Sequence, residues 1–401
     1  MMWRNFQSLL FCCLLVVATS ACTKSSDDNG DFDGDFGNGD SPPPVNLDQR
    51  ALSAMTNEDG IANFSFTVDP AVTGYQLLVS SGVNRSQLVA LSDSQGEVSL
   101  VPLAPAFQGP LYLSTSVNAL NFPFSPFNVM RTSYTASYKL IDSTTQNPLP
   151  FTELSATLLT KKDSDLSNGT VGVNMILVGS VGGSSETRDS LQSVLSVAES
   201  YLSSAGLSLN VEWVPVPGPD TLPDPNTSNS FYENIVQHTR VNSVNIVFGT
   251  EVTGLHNQDA IYSISTGDGG PALPSPRSVA VVSILAVAGP DGLFNYDGDG
   301  SVQINGDEIG LAGEEVAQLI GHYLGVTHIL ENDGFLTTSS DALPDTNSCV
   351  TIVDCRNEKD VRGNLMFPFP IYILDENLDT YKRNHLTSQQ TTILQSSVLV
   401  N

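Results

Sequence analysis

Basic residues are scarce. The chain carries 16 Lys and Arg against 43 Asp and Glu in 401 residues, a formal net charge of −27. An excess of carboxylates on that scale repels phosphates, which excludes nucleic acid as a partner. It suits a soluble, exposed protein in a salty or cation-rich medium. Long apolar runs are also few. The one present, "FQSLLFCCLLVVA", lies near the N-terminus and is too short to span a bilayer as a stable helix. No second run follows, so the rest of the chain reads as non-membrane. No internal repeat is visible, and the length allows two domains of ordinary size.

The N-terminus reads as a targeting segment over residues 1–21. "MMWRN" supplies a basic start, the apolar run follows, and "TSAC" supplies small residues at the end. "ATSAC" resembles the bacterial lipobox, with Thr19 where Leu is usual. That resemblance implies lipidation of Cys22 as the mature N-terminus. It places the protein in the bacterial cell envelope, lipid-anchored at the outer membrane or cell surface, with the membrane as partner through the lipid. A plain cleaved signal is the alternative. Cysteines number five. Cys12 and Cys13 leave with the signal and Cys22 takes the lipid. Cys349 and Cys355 remain, close together, and in an oxidising compartment such a pair reads as one disulfide. Two free thiols are the competing reading.

Residues 22–50 form an acidic tether rich in Asp, Gly, Ser and Pro, unable to bury enough apolar surface to fold. Residues 51–145 contain short alternating stretches such as "ANFSFTVD", "GYQLLVSS" and "SYTASYKLI", separated by turn residues. They predict a small all-β sandwich. Residues 146–164 read as a connector. From 165 to 401 the order changes. "TVGVNMILVGS" is an apolar strand. Leu191, Val194, Leu195, Ala198, Tyr201 and Leu202 then recur at helical spacing, with Gly206 after the last turn. "LSLNVEWVPV", "SVNIVFGTEV" and "SPRSVAVVSIL" are further strands, with a short helix at "NSFYENIVQHTR". This alternation predicts an α/β domain with a mixed sheet. Thr387 and Gln390 form a capping box that opens a terminal helix.

The chemistry concentrates in "EEVAQLIGHYLGVTHILE". On a helix, Val316, Leu319, Ile320, Tyr323 and Leu324 gather on one side and Glu314, Glu315, Gln318 and His322 on the other. Gly325 is placed as a C′ glycine. Taken alone, this is an amphipathic helix packing its apolar face on the sheet, with His322 on the polar face. However, His322, Gly325 and His328 stand in the order H-x-x-G-x-x-H. With Met366 in "NLMFPFP" downstream, "DALPDTNSCVTIVDC" between, and the order of strands and helices upstream, residues 165–401 resemble the metzincin zinc peptidases. The resemblance implies an α/β (α+β) fold with an active-site helix, His322 and His328 as the second and third zinc ligands, and Met366 as the Met-turn methionine.

The departures bear on function. Gln318 stands where the first His ligand belongs, and a neutral amide oxygen is a poor zinc donor beside imidazole. Leu319 stands where the Glu general base belongs and accepts no proton. A positioned base is worth on the order of 10²–10⁴ in rate. Zinc is therefore expected to be weakly bound or absent. Glu314 and Glu315 lie roughly 10–12 Å from His322 along the axis, too far to share its metal. Glu331, Asp333, His256 and His385 remain as substitute donors. A second metal signal, "NYDGDGSVQINGDE", offers Asn295, Asp297, Asp299 and Ser301 in a loop like that of EF-hands, with Gly306 at the last position and Asp307 and Glu308 just beyond. Calcium and a plain polar turn are the two readings. The leading expectation is a lipid-anchored, metzincin-like pseudoprotease that binds a peptide or protein without cutting it. An active zinc metalloendopeptidase with an altered ligand set, and a purely structural envelope protein, are the alternatives.

Overall fold

In a computed structural model, the described residues are 47–97, 117–123, 131–162, 166–223, 229–253, 263–264, 270, 272–274, 279–283, 306–332, 338–340, 343–347, 354–355, 358–367 and 383–401. The described residues all fall within one compact unit.

The first part consists of two four-stranded antiparallel sheets. One orders β1 (Leu47–Met55), β8 (Glu153–Lys161), β3 (Gly74–Ser80) and β6 (Val117–Phe122) as β1-β8-β3-β6. The other orders β2 (Ile61–Thr67), β7 (Ser133–Ile141), β4 (Arg85–Asp93) and β5 (Gly96–Glu97) as β2-β7-β4-β5. Strand β7 shows why these residues pair: Tyr134, Ala136, Tyr138 and Leu140 point inward and the residues between them do not. Both sheets feed one core, in which the Tyr75 and Phe122 rings stack at 4.8 Å.

The first sheet is covered on both sides. Leu77 and Val79 of β3 face the core between the sheets, while Leu78, with Ala119 and Leu159, packs into the core of the α/β part. A strand buried on two faces loses alternation, and β3 is buried from Gly74 to Val79. The same effect hid β8. It lies within the segment read as a connector, and its end, Leu158 to Lys161, is buried without alternation. Strand β1 likewise starts inside the last residues read as tether.

The second part is built on a five-stranded sheet of order β10-β9-β12-β15-β14, comprising β10 (Leu207–Val216), β9 (Gly169–Val178), β12 (Val244–Gly249), β15 (Ala280–Ser283) and β14 (Ser263–Ile264). All neighbours are parallel except β14 with β15, so the sheet is mixed. Strands β11 (Thr221–Leu222) and β13 (Glu251–Val252) form a separate parallel pair. After a short α1 (Ser180–Gly183), α2 (Ser185–Leu202) opens with the Ser184 side chain accepting from the Thr187 amide. It buries Leu191, Val194, Leu195, Ala198 and Leu202. Helices α3 (Asn229–Ile235), α4 (Gly306–Tyr323), α5 (Lys359–Arg362) and α6 (Ser388–Ser396) follow, and the Thr387–Gln390 capping box is formed. Helix α4 crosses α2 at Gly313, where an added Cβ would come within 2.4 Å of Val197. The architecture is mixed α+β with several sheets. Among the described residues, no helix is long and apolar enough to cross a membrane.

Candidate functional site

Helix α4 is buried on both faces. Val316, Leu319, Ile320, Tyr323 and Leu324 are in the core as the periodicity predicts. Glu314, Glu315 and Gln318 are also buried, each at most 3% exposed. The amphipathic reading of this helix is therefore corrected: its polar side faces protein. Two buried carboxylates demand a cation, and Arg383, fully buried, supplies it. Its Nε pairs with Glu314 and its Nη2 with Glu315. Nη1 donates to the Gln318 Oε1 at 3.0 Å and to the Phe367 carbonyl at 2.7 Å. Gln318 completes the ring by donating its Nε2 to the same Phe367 carbonyl at 2.8 Å.

One guanidinium is shared between two buried carboxyl groups. Burial pushes the Glu315 carboxyl up from its ordinary range, and Glu314 adds to that against the opposing pull of Arg383. Burial alone would pull Arg383 down, but Glu315 and Glu314 more than reverse it, so the guanidinium stays charged.

The end of α4 is shaped by Gly325, whose φ of 108° lies in the region glycine favours. The Val326 amide donates to the Gly321 carbonyl and the Gly325 amide to the His322 carbonyl, both at 3.0 Å. This pairing is a Schellman motif. The turn swings the Val326 carbonyl to 2.8 Å from the His322 Nδ1. Nδ1 is thereby the protonated ring nitrogen and Nε2 the one with the lone pair. The His328 ring stands nearly perpendicular to that of His322, with centroids 4.4 Å apart. Burial holds His322 well below its ordinary pKa, and His328 and Arg383 push the same way, against the bond to Val326.

Met366 lies in the core directly under this turn. Its Sδ faces Gly321, where an added Cβ would come within 2.9 Å. Its carbonyl accepts from the Ile329 amide at 3.1 Å. The Asn364 side chain accepts from the Met366 amide and exchanges bonds with Gln390 of α6. The structure thus brings Gln318, His322, His328 and Met366 to one end of α4.

Their chemistry does not fit the three-imidazole zinc set. Both polar ends of Gln318 are engaged, one by a guanidinium, and Leu319 is fully buried in the core. Among the described residues, no group of three or more His, Cys, Asp or Glu is arranged to hold a metal ion. Of the substitute donors, His385 sits beside Gly363 and bridges Asn364 in the backbone. Glu331 pairs with Ser339 between β16 (Leu330–Asn332) and β17 (Thr338–Ser340). His256 and Asp333 lie outside the described residues, as do Asn295, Asp297, Asp299, Ser301, Cys22 and Cys349. Asp307 and Glu308 begin α4, with Glu308 buried, and Cys355 is buried as well.

Sequence reasoning missed Arg383. The signal for it was two adjacent carboxylates inside an otherwise apolar helix, which require a cation from elsewhere in a chain poor in cations.

No family model and no curated protein matches the sequence. Among solved structures, the chain is similar to metalloproteinase-II from Bacteroides fragilis, at 12% identity and a TM-score of 0.30, over 59% of this chain and 55% of that one. It is also similar to archaemetzincin from Methanopyrus kandleri, at 12% identity and a TM-score of 0.25, over 57% of this chain and 88% of that one. The structure of a chaperone-substrate complex matches at 9% identity and a TM-score of 0.30, over 64% of this chain and 36% of that one. The chain thus spans about half the length of the metalloproteinase-II chain.

Proposed function

We propose that this protein is a metzincin-like pseudoprotease, anchored to the bacterial envelope through Cys22, that binds a peptide or protein without hydrolysing it. The engagement of Gln318 supports this reading most directly. The residue at the first ligand position holds the Phe367 carbonyl with one end and Arg383 with the other. The adjacent Leu319, at the general-base position, is buried hydrocarbon. A zinc peptidase needs a metal-activated water and a base to take its proton, and neither side chain serves. His322, His328 and Met366 keep the remainder of the pattern.

The all-β part preceding the α/β part is read as a sandwich that supports this fold, and Cys349 is read as paired with Cys355. The deciding experiment is metal analysis of the purified mature chain together with digestion of an unstructured protein. The expected result is no stoichiometric zinc and no cleavage. Stoichiometric zinc with chelator-sensitive cleavage would overturn the reading in favour of an active peptidase with other ligands. For the anchor, Cys22→Ser should release the protein into the soluble fraction, and an unmodified mature N-terminus would remove the lipid.

A further inference from the structure

We infer that Arg383 is the resident cation of this site: its guanidinium stands in place of a metal ion in the charge balance of α4, so the zinc site is replaced and not merely lacking one ligand. The inference rests on the pseudoprotease reading and deepens it.

Four hydrogen bonds converge from Arg383 onto oxygen atoms of Glu314, Glu315, Gln318 and Phe367. Three of those partners lie within one and a half turns of the same helix, and the fourth immediately follows Met366. The guanidinium therefore ties the Met366 segment to α4. Residue 318 is matched to that role. A carboxamide accepts from the guanidinium with its oxygen and donates to the Phe367 carbonyl with its nitrogen at the same time. An imidazole directed to a metal ion keeps one donor, its other ring N–H, but has no acceptor left for the guanidinium, because its lone pair is the metal donor. The cluster is itself buried, Arg383 fully and its two carboxyl partners to at most 3% exposure, which strengthens every charge interaction inside it. In a chain with 16 basic residues, one fully buried arginine at this position is a specific commitment.

The consequence is that Gln318 and Arg383 act as a pair. A metal ion held by a side chain at 318 would lie a few ångströms from a fixed positive charge. Completing the ligand set by Gln318→His alone therefore fails, and removing Arg383 with it succeeds.

The test uses the full mature chain as wild type, Q318H, R383M, Q318H/R383M and the charge-neutral triple E314Q/E315Q/R383M. Zinc affinity is read by equilibrium dialysis with metal analysis, and stability by the thermal midpoint. Q318H is expected to bind zinc no better than a few-fold over wild type. Q318H/R383M is expected to gain on the order of 100-fold. R383M should unfold roughly 5–10 °C lower than wild type, because its two carboxylates lose their cation, and the triple should recover at least half of that loss. Equal zinc affinity in Q318H and Q318H/R383M, or a folded Q318H/R383M with no gain, overturns the inference. So does R383M melting at the wild-type temperature. If Q318H/R383M does not fold, the R383M and triple midpoints decide alone. The pseudoprotease reading fails by a different result, zinc and cleavage in the wild type.

Discussion

Gln318 and Arg383 lie 65 residues apart in the chain and meet in the core at 3.0 Å, amide oxygen to guanidinium nitrogen. Gln318→Leu keeps the volume and removes both hydrogen bonds. It leaves a charged donor of Arg383 without its acceptor in a site that water does not reach. The expected cost is about 2–4 kcal/mol, read from the urea midpoint at unchanged slope. A midpoint equal to wild type would show that the Gln318 side chain is not held as described.

The turn at the end of α4 was legible in the sequence because its causes are local. Gly325 three residues after His322, and His328 three beyond, place the Schellman turn and both rings. The alternation in β7 and the Thr387–Gln390 cap were legible for the same reason. Arg383 was not, since nothing near it in "YKRNH" marks it as buried, and its partners are defined by the fold. The periodicity of α4 predicts its buried apolar side but not the burial of Glu314, Glu315 and Gln318 on the other. A polar face on a helix means solvent only when no cation comes from elsewhere to cover it. Strand β8 is not legible locally because its partners β1 and β3 are remote in sequence and its far end is buried without alternation.

Two glycines of α4 should respond differently to the same substitution. At Gly313 a Cβ would meet Val197 Cβ at 2.4 Å and the Val194 carbonyl at 2.9 Å. A backbone carbonyl cannot yield without separating α2 from α4. At Gly321 the obstacle is the Met366 thioether at 2.9 Å, which is flexible. Alanine is also the better helix former by about 1 kcal/mol. Gly313→Ala is expected to destabilise by about 2–3 kcal/mol and Gly321→Ala by less than about 1 kcal/mol. The reverse order in denaturant melts would mean the α2–α4 crossing is looser than described.

The β-sheet part should be inseparable from the α/β part. Gln76 of β3 donates to the Gly270 carbonyl at 3.0 Å and accepts from the Ala272 amide at 2.8 Å. The Gly270 amide in turn donates to the Tyr323 carbonyl at the end of α4. Lys161 of β8 donates to the Gln395 carbonyl of α6 at 2.8 Å. A fragment starting at residue 165 would expose the core surface that Leu78, Ala119 and Leu159 cover. It is expected to be insoluble or without near-ultraviolet circular dichroism. Gln76→Ala in the full chain should cost about 2 kcal/mol. A fragment that unfolds cooperatively on its own would refute the coupling.

The pH dependence of stability should carry the mark of His322. Its Nε2 is shielded from solvent although part of the side chain is not, and its pKa in the fold is held well below the ordinary 6.5. Below about pH 6.5 the unfolded chain therefore takes up a proton at this position that the folded chain refuses. The unfolded state binds more protons, so stability rises with pH. The contribution of His322 is complete above 6.5 and is lost as pH falls toward its folded value. Glu315 acts in the opposite sense. Its carboxyl is raised above the ordinary 4.5, so its contribution is present at low pH and lost as pH rises through the raised value. The two oppose each other in the acidic range, and a wild-type profile alone does not separate them. His322→Gln removes one titration and leaves Glu315 in place. The difference in thermal midpoint between wild type and His322→Gln should shift against the wild type as pH falls from about 7.5 to about 5. Parallel profiles across that range would mean His322 is protonated alike in both states, and the burial of its ring would be wrong.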